Sequence, residues 1–213
     1  MIPNRPFRPA PQSARDKLLE AGVVLVRQQG FAATSLDQLC LAAGVTKGGF
    51  YHHFASKEAL GVALAVYWSS STESFFAEAP YHHHPRAIDR VLGYIDLRLA
   101  LITGPAESFS CVAGTMLQES FRSSAAIQQA CEDSIMGNAR AIEADLAEAL
   151  RDAGQVGADG AALARHIQSA IQGAFILAKS QDAAQAADMA KESIGHLRQY
   201  LELLLSPKAE ESV

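Results

Sequence analysis

Apolar residues recur every three to four positions along nearly the whole chain, and the strict alternation of a half-buried strand is missing. Leu18, Gly22, Leu25 and Gln29 share one helical face, with Leu19, Val23 and Val26 beside it. This predicts a helix from about Ser13 to Gln29, stopped by Gly30. Thr34 or Ser35 caps the next helix, and Ser35 with Gln38 has the spacing of a capping box. That helix carries Leu36, Leu39, Cys40 and Ala43 and ends at Gly44. Thr46 caps a third helix bearing Phe50, Tyr51 and Phe54, and Ser56 caps a fourth that runs to about Ala79. Pro80 and the Tyr81-His82-His83-His84-Pro85 stretch interrupt the pattern. A fifth helix is expected from about Arg86 to Ile102, ended by Thr103-Gly104-Pro105. Residues 107–121 read as helix with a small-residue interruption at Ala113-Gly114. A long helix follows from about Ser124 to Ala153, then a loop from Gly154 to Gly160, then two helices over about 160–180 and 183–205.

Composition narrows the class. The chain has 213 residues, of which 49% are hydrophobic and 19% charged, the balance of a globular protein with a sizeable core. There is no run of about 18 uncharged apolar residues, so no membrane span is expected. MIPNRPFRPAPQ at the start is rich in proline and lacks an apolar centre, so it is not expected to be a secretory signal. Cys40, Cys111 and Cys131 are an odd, widely spaced set, which fits free thiols in a reducing cytoplasm. The net charge of −5 argues against a nucleic-acid partner until it is divided by position. Residues 1–60 hold seven basic and four acidic side chains, a net of +3, which leaves −8 for the remainder. A basic head on an acidic body is the asymmetry expected where one end meets phosphate.

The informative stretch is Thr34-Ser-Leu-Asp-Gln-Leu-Cys-Leu-Ala-Ala-Gly-Val-Thr-Lys-Gly-Gly-Phe-Tyr-His-His-Phe-Ala-Ser-Lys-Glu-Ala-Leu60. Cys40 supplies a small packing residue, Gly44 a tight turn, and Val45 and Phe50 fill the angle between two helices. Thr46, Lys47, Gly48, Gly49, Tyr51 and His52 then fall at the start and on the outward face of the second helix. Glycines there cost about 1 kcal/mol each in helix propensity, a cost that makes sense if a backbone must come close to DNA. Lys47, Tyr51, His52 and Lys57 suit phosphate or base edges, and the amides near Thr34 to Leu36 suit a phosphate. This segment closely resembles the DNA-binding domain of the TetR family of bacterial repressors, over roughly a quarter of the chain. The family pattern of Ala-Gly-Val-Ser/Thr-Lys-Gly, then aromatic-Tyr-x-His-Phe-x-x-Lys-Glu-x-Leu, is met almost residue for residue, with Cys40 where Ala is usual.

The resemblance implies a non-enzymatic, cytoplasmic repressor without a cofactor. It would act as a homodimer on a near-palindromic double-stranded DNA operator and be released by a small-molecule inducer. An activator of the same family is an alternative. The fold implied is all-α, with about nine helices. A three-helix DNA-binding domain over 13–60 is followed by a ligand-binding and dimerisation domain over 61–205, with tails at 1–12 and 206–213.

The sequence nominates further candidates. Leu163, Ile167, Ala170, Ile171, Ala174 and Ala178, then Ala190, Ile194, Leu197, Leu201 and Leu204, form small, continuous apolar seams on the last two helices. They suit a four-helix dimer interface, or else an intramolecular core. Trp68, Phe75, Phe76, Phe109, Met116 and Phe175 are candidate apolar contacts for an inducer, and Gln118, Asn138 and Gln172 candidate polar ones; ordinary core is the alternative. Cys111 opens Cys111-Val-Ala-Gly-Thr-Met-Leu-Gln-Glu119, similar to a segment in TetR-like branches that sense electrophiles, and is a candidate thiol sensor or a packing residue. No metal is expected at His82-His83-His84, because adjacent loop histidines seldom converge on one ion. Arg5 and Arg8 could reach a minor groove or make no contact. No glycine-rich phosphate loop or spaced ligand set points to an enzyme.

Overall fold

The computed structural model describes residues 13–206. Among them every regular element is helical: α1 (Ala14–Gln29), α2 (Leu36–Ala43), α3 (Lys47–His53), α4 (Lys57–Ala77), a 3-10 turn (Pro80–His83) and α5 (Ala87–Ala100). The rest are α6 (Ala106–Phe109), α7 (Val112–Ser120), α8 (Ala125–Asp152), α9 (Gly160–Ala178) and α10 (Ala186–Leu205). Arg5, Arg8 and the two expected tails, Ser206 apart, lie outside the described residues.

Two departures from the predicted pattern have local causes. The break in 107–121 falls at Ser110-Cys111 and not at Ala113-Gly114, which makes one expected helix into α6 and α7. Cys111 leaves helical geometry and its Sγ accepts the Gly114 N–H at 3.3 Å, acting as an N-cap. The last helix starts at Ala186 and not at 183, because Asp182 Oδ1 accepts the amides of Ala184 and Gln185, both at 3.0 Å. That side-chain turn competes with the first helical turn.

The chain divides into two compact units: residues up to Phe76 with Ser110–Ile135, and Ala77–Phe109 with Met136 onward. In the first unit α1 packs on α2, α3 and α7. Leu18, Leu19, Val23, Val26, Leu39, Phe50, Leu60 and Leu64 are buried there, each contributing about 1.5–3 kcal/mol by leaving water. Gly22 lets α1 approach α4: a Cβ there would lie 2.7 Å from Leu64 Cδ2. Tyr67 of α4 donates to the buried Glu20 carboxylate of α1, and the Arg27 guanidinium stacks 5.5 Å over the Trp68 ring.

In the second unit α9 packs on α10, and α10 on α5. The apolar seams read from the sequence lie inside this packing: Ile167, Ile171, Ala174, Ala178, Ala190, Ile194 and Leu201 are buried within one chain. For these buried positions the intramolecular reading holds, because α5 gives α10 a partner that helical spacing alone does not disclose, while Ala170 and Leu204 of the same seams are half-buried. The apolar surface left outward on α9 and α10 is instead Ile176, Leu177, Tyr200 and Leu203, the last 82% exposed. Arg90 of α5 joins α8 through Asp145 at 2.7 Å and Glu148 at 2.6 Å, and Arg198 joins α10 to Asp96 of α5 at 2.6 Å.

Candidate nucleic-acid interface

Local chemistry shapes α2, the turn and α3. Ser35 and Gln38 form a reciprocal capping box, with Gln38 N–H donating to Ser35 Oγ at 3.2 Å and Ser35 N–H to Gln38 Oε1 at 2.8 Å. Gly44 ends α2 in the left-handed region (φ 64°, ψ 37°), while the Val45 N–H returns to the Cys40 carbonyl at 2.9 Å. Thr46 then caps α3 by accepting the Gly49 N–H at 3.1 Å. Phe50 is fully buried, with Tyr51 at 5.3 Å and Phe54 at 5.7 Å between ring centroids. This aromatic anchor decides which side of α3 faces inward.

The other side faces water. Ser35, Thr46, Lys47, Gly48, Tyr51 and His52 are all exposed, Tyr51 at 57%. α3 holds no carboxylate, and an α-helix, about 10–12 Å across with its side chains, fits a major groove about 12 Å wide. The two glycines differ. A Cβ on Gly49 would lie 2.8 Å from Val45 Cγ1, so its absence serves the turn. A Cβ on Gly48 meets nothing nearer than Thr46 Oγ1 at 3.9 Å, so packing within the chain does not call for glycine there.

Two expected contact residues have other engagements. Thr34 is buried, and its hydroxyl donates to the Gly30 carbonyl at 2.6 Å. Lys57 lies 4.7 Å over the Phe31 ring and donates to the Ala32 carbonyl at 3.2 Å; burial lowers its pKa. Two residues that matter escape a sequence reading. Asp37 of α2 pairs with Lys47 at 2.8 Å and raises the lysine's pKa through that hydrogen bond. Helix periodicity on α2 exposes Asp37 but cannot say that α3 brings Lys47 beside it. Glu119 accepts backbone amides of Phe31 and Ala32, 88 and 87 residues away, and no sequence signal marks it.

The inducer candidates divide between the units. Trp68, Phe75, Cys111, Met116 and Gln118 belong to the first, and Phe109, Asn138, Gln172 and Phe175 to the second. Trp68 and Met116 are buried, Phe75 and Cys111 are half-buried, and Gln118 donates to the Gly114 carbonyl at 3.0 Å. In the second unit the Phe109 and Phe175 rings meet at 5.7 Å, Asn138 accepts from Arg98 at 3.2 Å, and Gln172 is half-buried. Burial raises the thiol pKa of Cys40, and that of Cys131 to about 12. His82, His83 and His84 are exposed on and just after the 3-10 turn.

A short helix presented outward on a buried aromatic anchor, after a left-handed glycine turn, makes this a helix-turn-helix protein. Residues 18–64 match the sequence profile of the bacterial regulatory proteins of the tetR family. The chain is 38% identical over 80 residues to the HTH-type transcriptional repressor NemR of Escherichia coli K12, taking in 38% of this chain and 40% of that protein. It is 40% identical over 58 residues to the HTH-type transcriptional repressor KstR2 of Mycolicibacterium smegmatis, 27% of each. The chain thus spans about two fifths, or less, of the length of these curated relatives. The fold likeness is longer. The reduced form of E. coli NemR superposes with a TM-score of 0.74 at 23% identity, covering 92% of this chain and all of that one. A TetR regulator from Chloroflexus aurantiacus superposes with a TM-score of 0.75 at 23% identity over 88% and 93% of the two chains. All ten α-helices therefore sit in a TetR-type fold. Among the described residues no helix is long and apolar enough to cross a membrane.

Proposed function

We propose that the chain is a sequence-specific transcriptional repressor of the TetR type. Residues 13–60 read the DNA, and 61–205 sense a small-molecule inducer and hold the dimer. The observation that carries this reading is the outward face of α3: Lys47, Gly48, Tyr51 and His52 are exposed together, while Phe50 and Phe54 lock the helix from behind. Tyr51 and His52 reach base edges or phosphate, Ser35 and Thr46 hydroxyls meet flanking phosphates, and Lys47 supplies charge. The names of the relatives NemR and KstR2 support repression.

The outward apolar residues Ile176, Leu177, Tyr200 and Leu203 on α9 and α10, which a second copy would cover, support a homodimer. Two α3 helices, one per protomer, would then enter successive major grooves of a palindrome. The inducer reading rests on the aromatic and amide side chains found within each unit taken by itself. The thiol-sensor alternative rests on Cys111, which is half-buried where Cys40 and Cys131 are buried.

The test is selection of duplexes by the purified protein from a random-sequence pool. The expected result is a palindromic consensus bound at about 10 nM and weakening steeply with salt. Tyr51→Ala and His52→Ala should lose that preference while melting as the wild type does. A protein that enriches no sequence is not a specific regulator.

A further inference from the structure

The loop between α1 and α2 contains no regular structure, yet it ends in Ser35, the cap from which α2 starts. Its position therefore bears on that of α2, which also packs on α1, and through the turn on that of α3. Four side chains hold it, one being Gln29, whose Nε2 donates to the Ala33 carbonyl at 3.4 Å. Glu119, near the end of α7, accepts the Phe31 N–H at 2.7 Å and the Ala32 N–H at 2.9 Å on a single carboxylate oxygen. Lys57 at the start of α4 takes the Ala32 carbonyl and covers the Phe31 ring. Thr34 closes the loop on the Gly30 carbonyl. Gly30 has φ 89°, and a Cβ there would fall 2.0 Å from Glu119 Oε1, so the carboxylate sits where only glycine leaves room.

The contacts differ in how easily they break. Phe31 and Thr34 are buried, whereas Glu119 is exposed, so water can solvate its carboxylate when the two bonds open. The helix behind it is anchored in the core by Val112, Ala113 and the fully buried Met116, so α7 has contacts of its own that do not depend on the loop. A shift of α7 by about 1 Å would stretch both bonds past hydrogen-bonding range.

We propose that Glu119 is a positioning residue for DNA recognition: through it α7 controls the α1–α2 loop and hence the seating of α2 and α3. The proposal rests on the repressor reading above and adds a contact, within the first unit, through which α7 acts on the DNA-binding helices.

The test compares full-length wild type with Glu119→Gln, which keeps reach and an acceptor oxygen, and with Glu119→Ala. The probes are the duplex selected by the wild type and a random duplex. The Phe31 and Ala32 amides should exchange with solvent about tenfold faster in Glu119→Ala, while α7 amides and the melting temperature stay close to wild type. Affinity for the selected duplex should fall about tenfold in Glu119→Ala and less in Glu119→Gln. Removing a negative charge on its own would raise affinity for all DNA, so a fall confined to the selected duplex has the opposite sign to simple electrostatics. Unchanged affinity in a folded variant, an equal change on random DNA, or a loss that tracks global destabilisation would each overturn the proposal. A wild type that selects no duplex would instead sink the repressor reading, and this inference with it.

Discussion

Replacing Gly48 with alanine separates the demands of the fold from the demands of a DNA partner. In the free protein the added methyl reaches only Thr46 Oγ1, at 3.9 Å, so it meets no steric resistance. Gly48 sits in the first turn of α3, where glycine costs less than at a helix centre, so alanine should stabilise by about 0.5 kcal/mol. For a chain of this size that raises the melting temperature by about 1–2 °C. Gly49→Ala is the internal contrast. Its Cβ would press to 2.8 Å against Cγ1 of Val45, a β-branched side chain with little rotamer freedom, and overpacking of this kind costs about 1–3 kcal/mol. If α3 lies with its backbone against DNA at Gly48, the same methyl that steadies the free protein should weaken operator binding about tenfold, or 1.4 kcal/mol. Calorimetric melting and fluorescence anisotropy on the selected duplex read the two effects separately. A Gly48→Ala protein that binds as tightly as wild type refutes the close approach. One that melts lower refutes the steric reasoning.

Other outcomes follow from individual contacts. Asp37→Ala frees Lys47 from its exposed partner, so DNA affinity should rise a few-fold and the salt dependence steepen by about one counterion, measured by anisotropy across a salt series. In the native protein one thiol of the three should react readily with Ellman's reagent, and Cys111→Ser should remove that fraction, because Cys40 and Cys131 are buried and their pKa values raised. Leu203→Glu should dissociate the dimer in sedimentation without unfolding the chain, whereas Ile194→Ala, at a fully buried site, should cost about 2–5 kcal/mol of stability.

Ser35 with Gln38, Gly44 and Thr46 mark the boundaries of α2 and α3, because capping and left-handed turns are chemistry of three or four consecutive residues. The exposed face of α3 was legible for the same reason: Phe50 and Phe54 are large and apolar, so Gly48, Tyr51 and His52 turn away from them. Thr34 and Lys57 were less so, since short-range spacing shows that they adjoin the module but not that the Gly30 and Ala32 carbonyls claim them. The seams of α9 and α10 were visible as apolar stripes, yet a stripe does not say whether it meets its own chain or a second copy.

By itself, then, the sequence determined the helical class, nearly every helix boundary and the outward side of α3, all of which depend on neighbours within one or two turns. Only the tertiary structure decided that α5 covers α10, that Asp37 holds Lys47, and that Glu119 of α7 grips amides 87 and 88 residues earlier. Such contacts depend on how packed helices are placed, and helical periodicity records that a face is buried without recording what buries it.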